Sequence, residues 1–307
     1  MKTLFVINPR SGSGRTGKEW AKFQSVVADS LAEPFEVEFT QYPQHATSLV
    51  SDALRKGFQR IISVGGDGTL NEVVNGFWES GEQIQPNAVL GVLPMGTGCD
   101  FIKSIGIPPD WREALQIIQK GNSHPIDVGY ATYHTFNGEK SSRYFINIMD
   151  FGMGGAVVER VNRTTKIFGG RISFLIGIIV TLFQYRNKLI TYSLDGQEWQ
   201  EQRLNNFIVA NGRYFGGGLN PAPHAILDDG YFDVVLIGDV SRVDAVANLS
   251  NLRKGTHLQH PKIDEMRARE IKATSDEAVF IDMDGELVGK LPVEVKIVAG
   301  AIPFISP

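Results

Sequence analysis

Apolar positions in the first third of the chain switch between two periods. Thr3–Asn8 is a short apolar run ending in a Gly/Ser loop, Lys18–Leu31 repeats apolar residues at helical spacing, and Phe35–Thr40 alternates as a strand does. Thr47–Lys56 reads as a helix, with Ala46 or Thr47 near its start and Gly57 just past its end. Arg60–Val64 is an apolar strand running into Gly65-Gly66, Leu70–Phe77 a helix, and Ala88–Leu93 a further strand. Strands alternating with helices predict an α/β domain with a mostly parallel sheet covered on both faces. Ligands of such sheets gather beyond the carboxyl ends of the strands, where the glycine-rich segments of this chain fall.

After about Gly121 the pattern changes. Short β-branched and aromatic runs are separated by turn residues: Arg143–Ile148, Leu189–Leu194, Asn206–Ala210, Tyr231–Ile237, Glu277–Asp282 and Val293–Val298. Asp195-Gly196 and Asp284-Gly285 are hairpin signals. This predicts a β-rich second domain, a sandwich, with helices inserted near 156–186 and 241–254. We place the domains at 1–125 and 126–307, with the last strand a candidate to return to the first domain. No internal repeat or low-complexity segment interrupts either.

Composition narrows the classes. The 307 residues are 42% hydrophobic and 21% charged, with a net charge of −4, so neither disorder nor the basic balance of a nucleic-acid binder is indicated. The single cysteine, Cys99, excludes an internal disulfide and a thiolate metal site. The opening Met1–Ile7 runs into a turn too early for a signal h-region. Ile172–Phe183 is the longest apolar run and is too short to cross a bilayer. Flanked by Arg171, Arg186 and Lys188, it reads either as a core helix or as an interfacial wall for acyl chains. Arg160, Arg163, Lys166 and Arg171 lean the same way, or form a solvated face. The histidines are scattered, and His257 and His260, close enough to share a helix face, lack the partners a metal would need.

Three glycine segments carry candidate chemistry. Asn8-Pro9-Arg10-Ser11-Gly12-Ser13-Gly14 ends the first strand; its small residues let backbone N–H groups approach phosphate oxygens, although it lacks the Gly-Lys-Ser/Thr ending of a P-loop. Gly65-Gly66-Asp67-Gly68-Thr69, followed by Leu70-Asn71-Glu72, leaves room for a nucleotide against the backbone, with a carboxylate that can act through Mg²⁺. Its plainer reading is a turn with Asp67 as helix N-cap. Leu93-Pro94-Met95-Gly96-Thr97-Gly98-Cys99-Asp100-Phe101 again follows a strand and opens a helix, where Asp100 either caps or joins a metal network.

In this order the three segments resemble the diacylglycerol kinase catalytic family, which includes bacterial lipid kinases and is related to sphingosine and ceramide kinases and, in fold, to NAD kinases. The likeness continues through Asn211-Gly212, Phe215-Gly216-Gly217-Gly218, Ala222-Pro223, Leu227–Asp233 and Asp284-Gly285-Glu286. It implies an ATP-dependent lipid kinase that phosphorylates a lipid hydroxyl, with diacylglycerol converted to phosphatidic acid. Asn8, Pro9, Arg10, Ser11, Gly12, Thr40, Gly65, Gly66, Asp67, Gly68, Thr69, Leu70, Asn71 and Thr97 match ATP-contacting positions. Glu286 matches the general base, with Asp284 its acidic neighbour. Asp229, with the carbonyls of Ile226 and Tyr231, matches a structural Mg²⁺ site. Asp67, Asp100 and Asp127 match an acidic network that places Mg²⁺ near the phosphates through water. Cys99 departs from the family's Gly-Thr-x-Asn-Asp-Phe, where an Asn is usual. The implied partner is a membrane lipid, reached by peripheral contact at the inner face of the membrane from the cytoplasm, with a homodimer an option and no nucleic acid. The competing readings are a kinase of another alcohol, lipid or soluble as in NAD kinase, and a non-catalytic lipid-binding relative.

Overall fold

The computed structural model describes residues 1–31, 33–163, 181 and 184–307. The Ile172–Phe183 run (Thr181 apart), Lys166 and Arg171 therefore lie outside the described residues. The chain divides into two units, Met1–Asp127 with Gly300–Pro307, and Val128–Ala299.

The first unit opens with β1 (Thr3–Ile7), α1 (Arg15–Ser30), β2 (Phe35–Phe39), α2 (His45–Arg55), β3 (Arg60–Gly65) and α3 (Asp67–Asn75). A small hairpin, β4 (Trp78–Glu79) and β5 (Glu82–Gln83), leads to β6 (Val89–Pro94), α4 (Phe101–Ile105), α5 (Trp111–Lys120) and the start of β7 (Ser123–His134). β1 pairs in parallel with β2 and β3, and β3 with β6. The chain's last strand, β17 (Glu286–Ile305), adds its end to this sheet in parallel, with Phe304 opposite Leu90. The central strands are apolar throughout because both faces are covered, and Leu4–Ile7 are all buried. Phe5, Trp20, Phe23 and Trp111 pack ring to ring at 4.7–5.9 Å, joining β1, α1 and α5.

α1 and α3 start three residues before the apolar periodicity does, because their first turns are glycine-rich or polar and carry no apolar side chain. α5 was not predicted. Its own caps are present in the sequence: Asp110 accepts the Arg112 N–H at 2.8 Å, and Gly121 takes the left-handed conformation that ends it.

The second unit is antiparallel. It contains the rest of β7, then β8 (Lys140–Phe145), β9 (Ile148–Gly152), α6 (Met153–Arg163), β10 (Lys188–Leu194), β11 (Gln200–Leu204), β12 (Asn206–Ala210) and β13 (Phe232–Ile237). Two short helices, α7 (Arg242–Ala247) and α8 (Leu249–Lys254), precede β14 (Ile263–Ala268), β15 (Glu270–Thr274), β16 (Phe280–Met283) and the body of β17. One run of neighbours is β14-β13-β12-β9-β16-β17, and β15 joins β17 to β10 and β11. Met149, Phe151, Phe207, Val234, Ile281 and Met283 point into the main core, while Ile148, Ile208 and Val235 fill a second cluster on the opposite face. The run read as one strand over Arg143–Ile148 is β8 and the start of β9, divided where Ile146 and Asn147 turn their N–H groups to a side chain. His257 sits in a single 3-10 turn that ends at Gln259, so it shares no helix face with His260. Its buried ring meets the Pro221 carbonyl at 3.0 Å.

Candidate active site

The first unit brings the three glycine segments against one another. Met95 donates its N–H to the Gly65 carbonyl at 2.8 Å, and Asn8 donates to Val64 at 3.0 Å. Asn8 also holds Thr69, its amide donating to Oγ1 at 3.0 Å, and its Oδ1 accepts the Arg10 N–H at 3.0 Å. Gly12 lies in the left-handed region at φ +58, and a Cβ there would stand 2.8 Å from the Met95 carbonyl oxygen. The Cα atoms of Gly66 and Gly96 lie so close that a side chain on Gly96 would strike the Gly66 backbone. Only glycine allows this approach, and it leaves main-chain groups as the lining of the loops.

Around this contact, Pro9 packs on Gly17, whose N–H it accepts at 3.2 Å, and Ser11 lies beside Gly66. Thr40 extends the β1–β2 pairing by donating to Ile7 at 2.8 Å. Gly68 is in the first turn of α3, Leu70 and Asn71 are buried on that helix, and Thr97 is exposed at the tip of the third loop.

Asp67 is not the N-cap of α3. That position is Gly66, without a side-chain cap, and the Asp67 carboxylate crosses instead to the third loop. There it accepts the N–H groups of Asp100 at 2.8 Å and Phe101 at 3.2 Å. Asp67 thus performs for α4 the service expected of Asp100. Asp100 occupies the N-cap position without making the cap bond and pairs with Lys103 at 2.6 Å. Asp127 is buried and accepts the Gly300 N–H at 2.7 Å. Among the described residues no three His, Cys, Asp or Glu side chains form a metal-binding group.

Cys99 points its thiol at the Gly65 carbonyl, 3.8 Å away. Burial, with the Asp67 charge adding to it, pushes the thiol up to about 11, so it is a neutral packing group beneath the second loop.

In the second unit the Asp284-Gly285 turn joins β16 to β17 with both residues at positive φ, 51 and 87. Asp284 is a clamp: its carboxylate accepts three N–H groups, from Ile146, Asn147 and Ile148, at 2.9–3.1 Å. Asn147 in turn accepts the N–H groups of Asn211 and Gly212, both at 2.9 Å, so the Asn211-Gly212 motif supports this clamp. Glu286 is half-exposed, and the largely buried Arg143 donates to one of its oxygens at 2.6 Å. Arg143 was missed from the sequence; a lone cation on an alternating strand gives no sign of its partner 143 residues away.

The Asp229 carboxylate, expected with the carbonyls of Ile226 and Tyr231 to hold a structural Mg²⁺, is engaged by protein groups. One Asp229 oxygen accepts the Tyr231 N–H at 3.0 Å, and the other takes the guanidinium of Arg267. Arg267 and Arg269 also lie over the Tyr231 ring, at 4.5 and 4.3 Å from its centre. A guanidinium thus stands at the carboxylate where a divalent ion was expected.

The Diacylglycerol kinase catalytic domain pattern matches residues 2–131, and the YegS C-terminal NAD kinase beta sandwich-like domain pattern matches residues 147–306. A Diacylglycerol kinase of Staphylococcus carnosus (strain TM300) is 32% identical over 95% of this chain and 90% of its own length. The chain belongs to the bacterial diacylglycerol kinase family. Another member, the Diacylglycerol kinase of Staphylococcus aureus (strain MRSA252), is 30% identical over 95% of this chain and 88% of its own. The fold of this kinase family is seen in a crystal structure of a diacylglycerol kinase from Bacillus anthracis str. Sterne. Its TM-score is 0.72 at 22% identity, covering 100% of this chain and 97% of that one. An NAD kinase from Archaeoglobus fulgidus in complex with ATP shares the fold more distantly, with a TM-score of 0.51 at 13% identity, covering 100% and 94%.

Proposed function

We propose that this member of the family is an ATP-dependent lipid kinase that transfers the γ-phosphoryl group to the hydroxyl of diacylglycerol, yielding phosphatidic acid. The observation that carries it is the side-chain-free contact of Gly66 and Gly96, closed by Asn8, Ser11 and Gly12, which suits a polyphosphate held by backbone N–H groups. Phosphoryl transfer depends mainly on positioning and charge neutralisation. Mg²⁺, when bound, would spread the developing negative charge of the phosphates. Asp67 and Asp100, both engaged directly by protein groups, suit contact with its water shell rather than with the ion. Glu286 is the base that accepts the proton of the attacking hydroxyl, and Arg143 and the Asp284 clamp set its position.

Contact with the lipid would be peripheral, at the inner face of a membrane from the cytoplasm; among the described residues no helix is long and apolar enough to cross one. The test is transfer of label from γ-labelled ATP to diacylglycerol, sphingosine, ceramide, undecaprenol and NAD presented in parallel, the lipids in mixed micelles. Labelled phosphatidic acid supports the proposal. Labelling of NAD alone, or of no acceptor, rejects it.

A further inference from the structure

Asp150 and Asp282 play no part in the site as described, yet they face each other directly across the antiparallel pair of β9 and β16. Side chains at directly opposed positions point to the same face. Their neighbours Met149, Phe151, Ile281 and Met283 fill the main core, so the two carboxyls lie on the other face, where Ile208 is the next partner of Asp150. The first turn of α6 covers them: a Cβ on Gly154 would run into the Asp150 carboxyl, and one on Gly155 into the Phe280 carbonyl. Asp150 is 0% exposed and Asp282 6%. Among the described residues, neither oxygen of Asp150, nor Oδ1 of Asp282, makes a hydrogen bond of full geometry.

Two carboxylates with so few hydrogen-bond donors at this depth resist being ionised together without a compensating proton or cation. A cation is disfavoured here. No third His, Cys, Asp or Glu joins the pair among the described residues, and Gly154 packs directly on the Asp150 carboxyl. We infer that Asp150 and Asp282 hold one proton between them and act as a positioning pair for Glu286, which stands on the same hairpin.

This rests on the base role proposed for Glu286. The shared proton leaves one negative charge, set against the first turn of α6, whose Gly155 N–H favours it. Asp150 also faces the Asn206 side chain and the Gly155 N–H, and Tyr185 feels its charge. Asp282 faces Asp284 and Glu286 from the hairpin. Burial raises Asp150 to about 7, and burial followed by the charges of Asp150, Asp284 and Glu286 raises Asp282 well above the ordinary aspartate range. Loss of the proton would set two negative charges beside Asp284 and Glu286 and loosen the hairpin that orients the base. The sign follows: a raised carboxyl contributes stability fully below about 4, the unfolded value; the pair loses part of it as Asp150 ionises through about 7, which leaves the single shared proton, and the rest only when that proton leaves Asp282 at higher pH.

Two measurements on the full chain test the pair. In thermal unfolding between pH 5 and 9, the Tm of the unaltered chain is expected to fall through pH 7, and that of the double variant D150N/D282N to stay flat over the same interval. With diacylglycerol in mixed micelles, kcat of the unaltered chain is expected to change several-fold across pH 6–8. In D150N that inflection is expected to disappear while KM for ATP is unchanged; a merely structural role would lower kcat equally at every pH. Identical Tm slopes in the unaltered chain and the double variant would overturn the inference. So would a rise in Tm with Mg²⁺ or Ca²⁺ that the double variant loses, which would assign a cation instead. Absence of phosphate transfer by the unaltered chain would count against the base role of Glu286, while the unfolding series reads the shared proton independently.

Discussion

Individual residues in this chain act through what they exclude as much as through what they bind. A methyl group at position 96 would strike the Gly66 backbone, so Gly96→Ala is expected to part the second and third loops. The cost is about 1–3 kcal/mol of stability, as for other overpacking changes, with a raised KM for ATP; unfolding by denaturant and initial-rate kinetics measure the two. Glu286→Gln keeps the shape of the side chain and removes its ability to take a proton. Turnover should fall by about 10²–10⁴ with ATP binding retained, and full activity in this variant would remove Glu286 from the base role. Cys99, with its thiol raised to about 11, should resist alkylation by iodoacetamide at pH 8 in the folded chain and react once denaturant exposes it. The departure from the family's Asn at this position is thereby explained as packing under the Gly65 carbonyl, 3.8 Å from the sulfur.

Elements are held by side chains that were legible as motifs but not as contacts. The turn Asp284-Gly285 was readable because a two-residue hairpin loop with both φ values positive favours Asp-Gly. That Asp284 would gather the N–H groups of Ile146, Asn147 and Ile148 was not readable, since they lie 136–138 residues away in sequence. Asp284→Ala removes three hydrogen bonds to a charged acceptor, so a loss of about 3 kcal/mol or more in denaturant unfolding is expected, with kcat falling alongside. Asp67 shows the same limit: a carboxylate before a helix reads as its cap, and only the approach of the third loop redirects it to Asp100 and Phe101. At Asp229 the family resemblance implied Mg²⁺, and β14 brings Arg267 to that carboxylate. Mg²⁺ or EDTA should therefore leave the Tm of the unaltered chain unchanged, and Mg²⁺ should stabilise the chain only after Arg267→Ala; a Tm that EDTA lowers before that substitution would restore the metal site.

At the scale of the whole molecule, the last eight residues belong to the first unit. Ile302, Phe304 and Ile305 are buried there, and Phe304 meets Phe101 with ring centres 5.4 Å apart. Phe304→Ala should cost about 3–5 kcal/mol, a large part of the stability of a domain, and be read as a lowered midpoint of unfolding. By itself the sequence determined the alternation of strands and helices in the first unit, the turns of the second and the three glycine segments. These depend on local spacing, on the backbone freedom of glycine and on turn chemistry, which neighbours along the chain already express. Only the tertiary structure decided which loops touch, that Arg143 meets Glu286, that Arg267 stands where a metal was expected, and that Asp150 and Asp282 are buried face to face. Each of those depends on strand register and on the covering of a sheet face, and a residue's neighbours in sequence carry no record of the distant strand that will lie beside it.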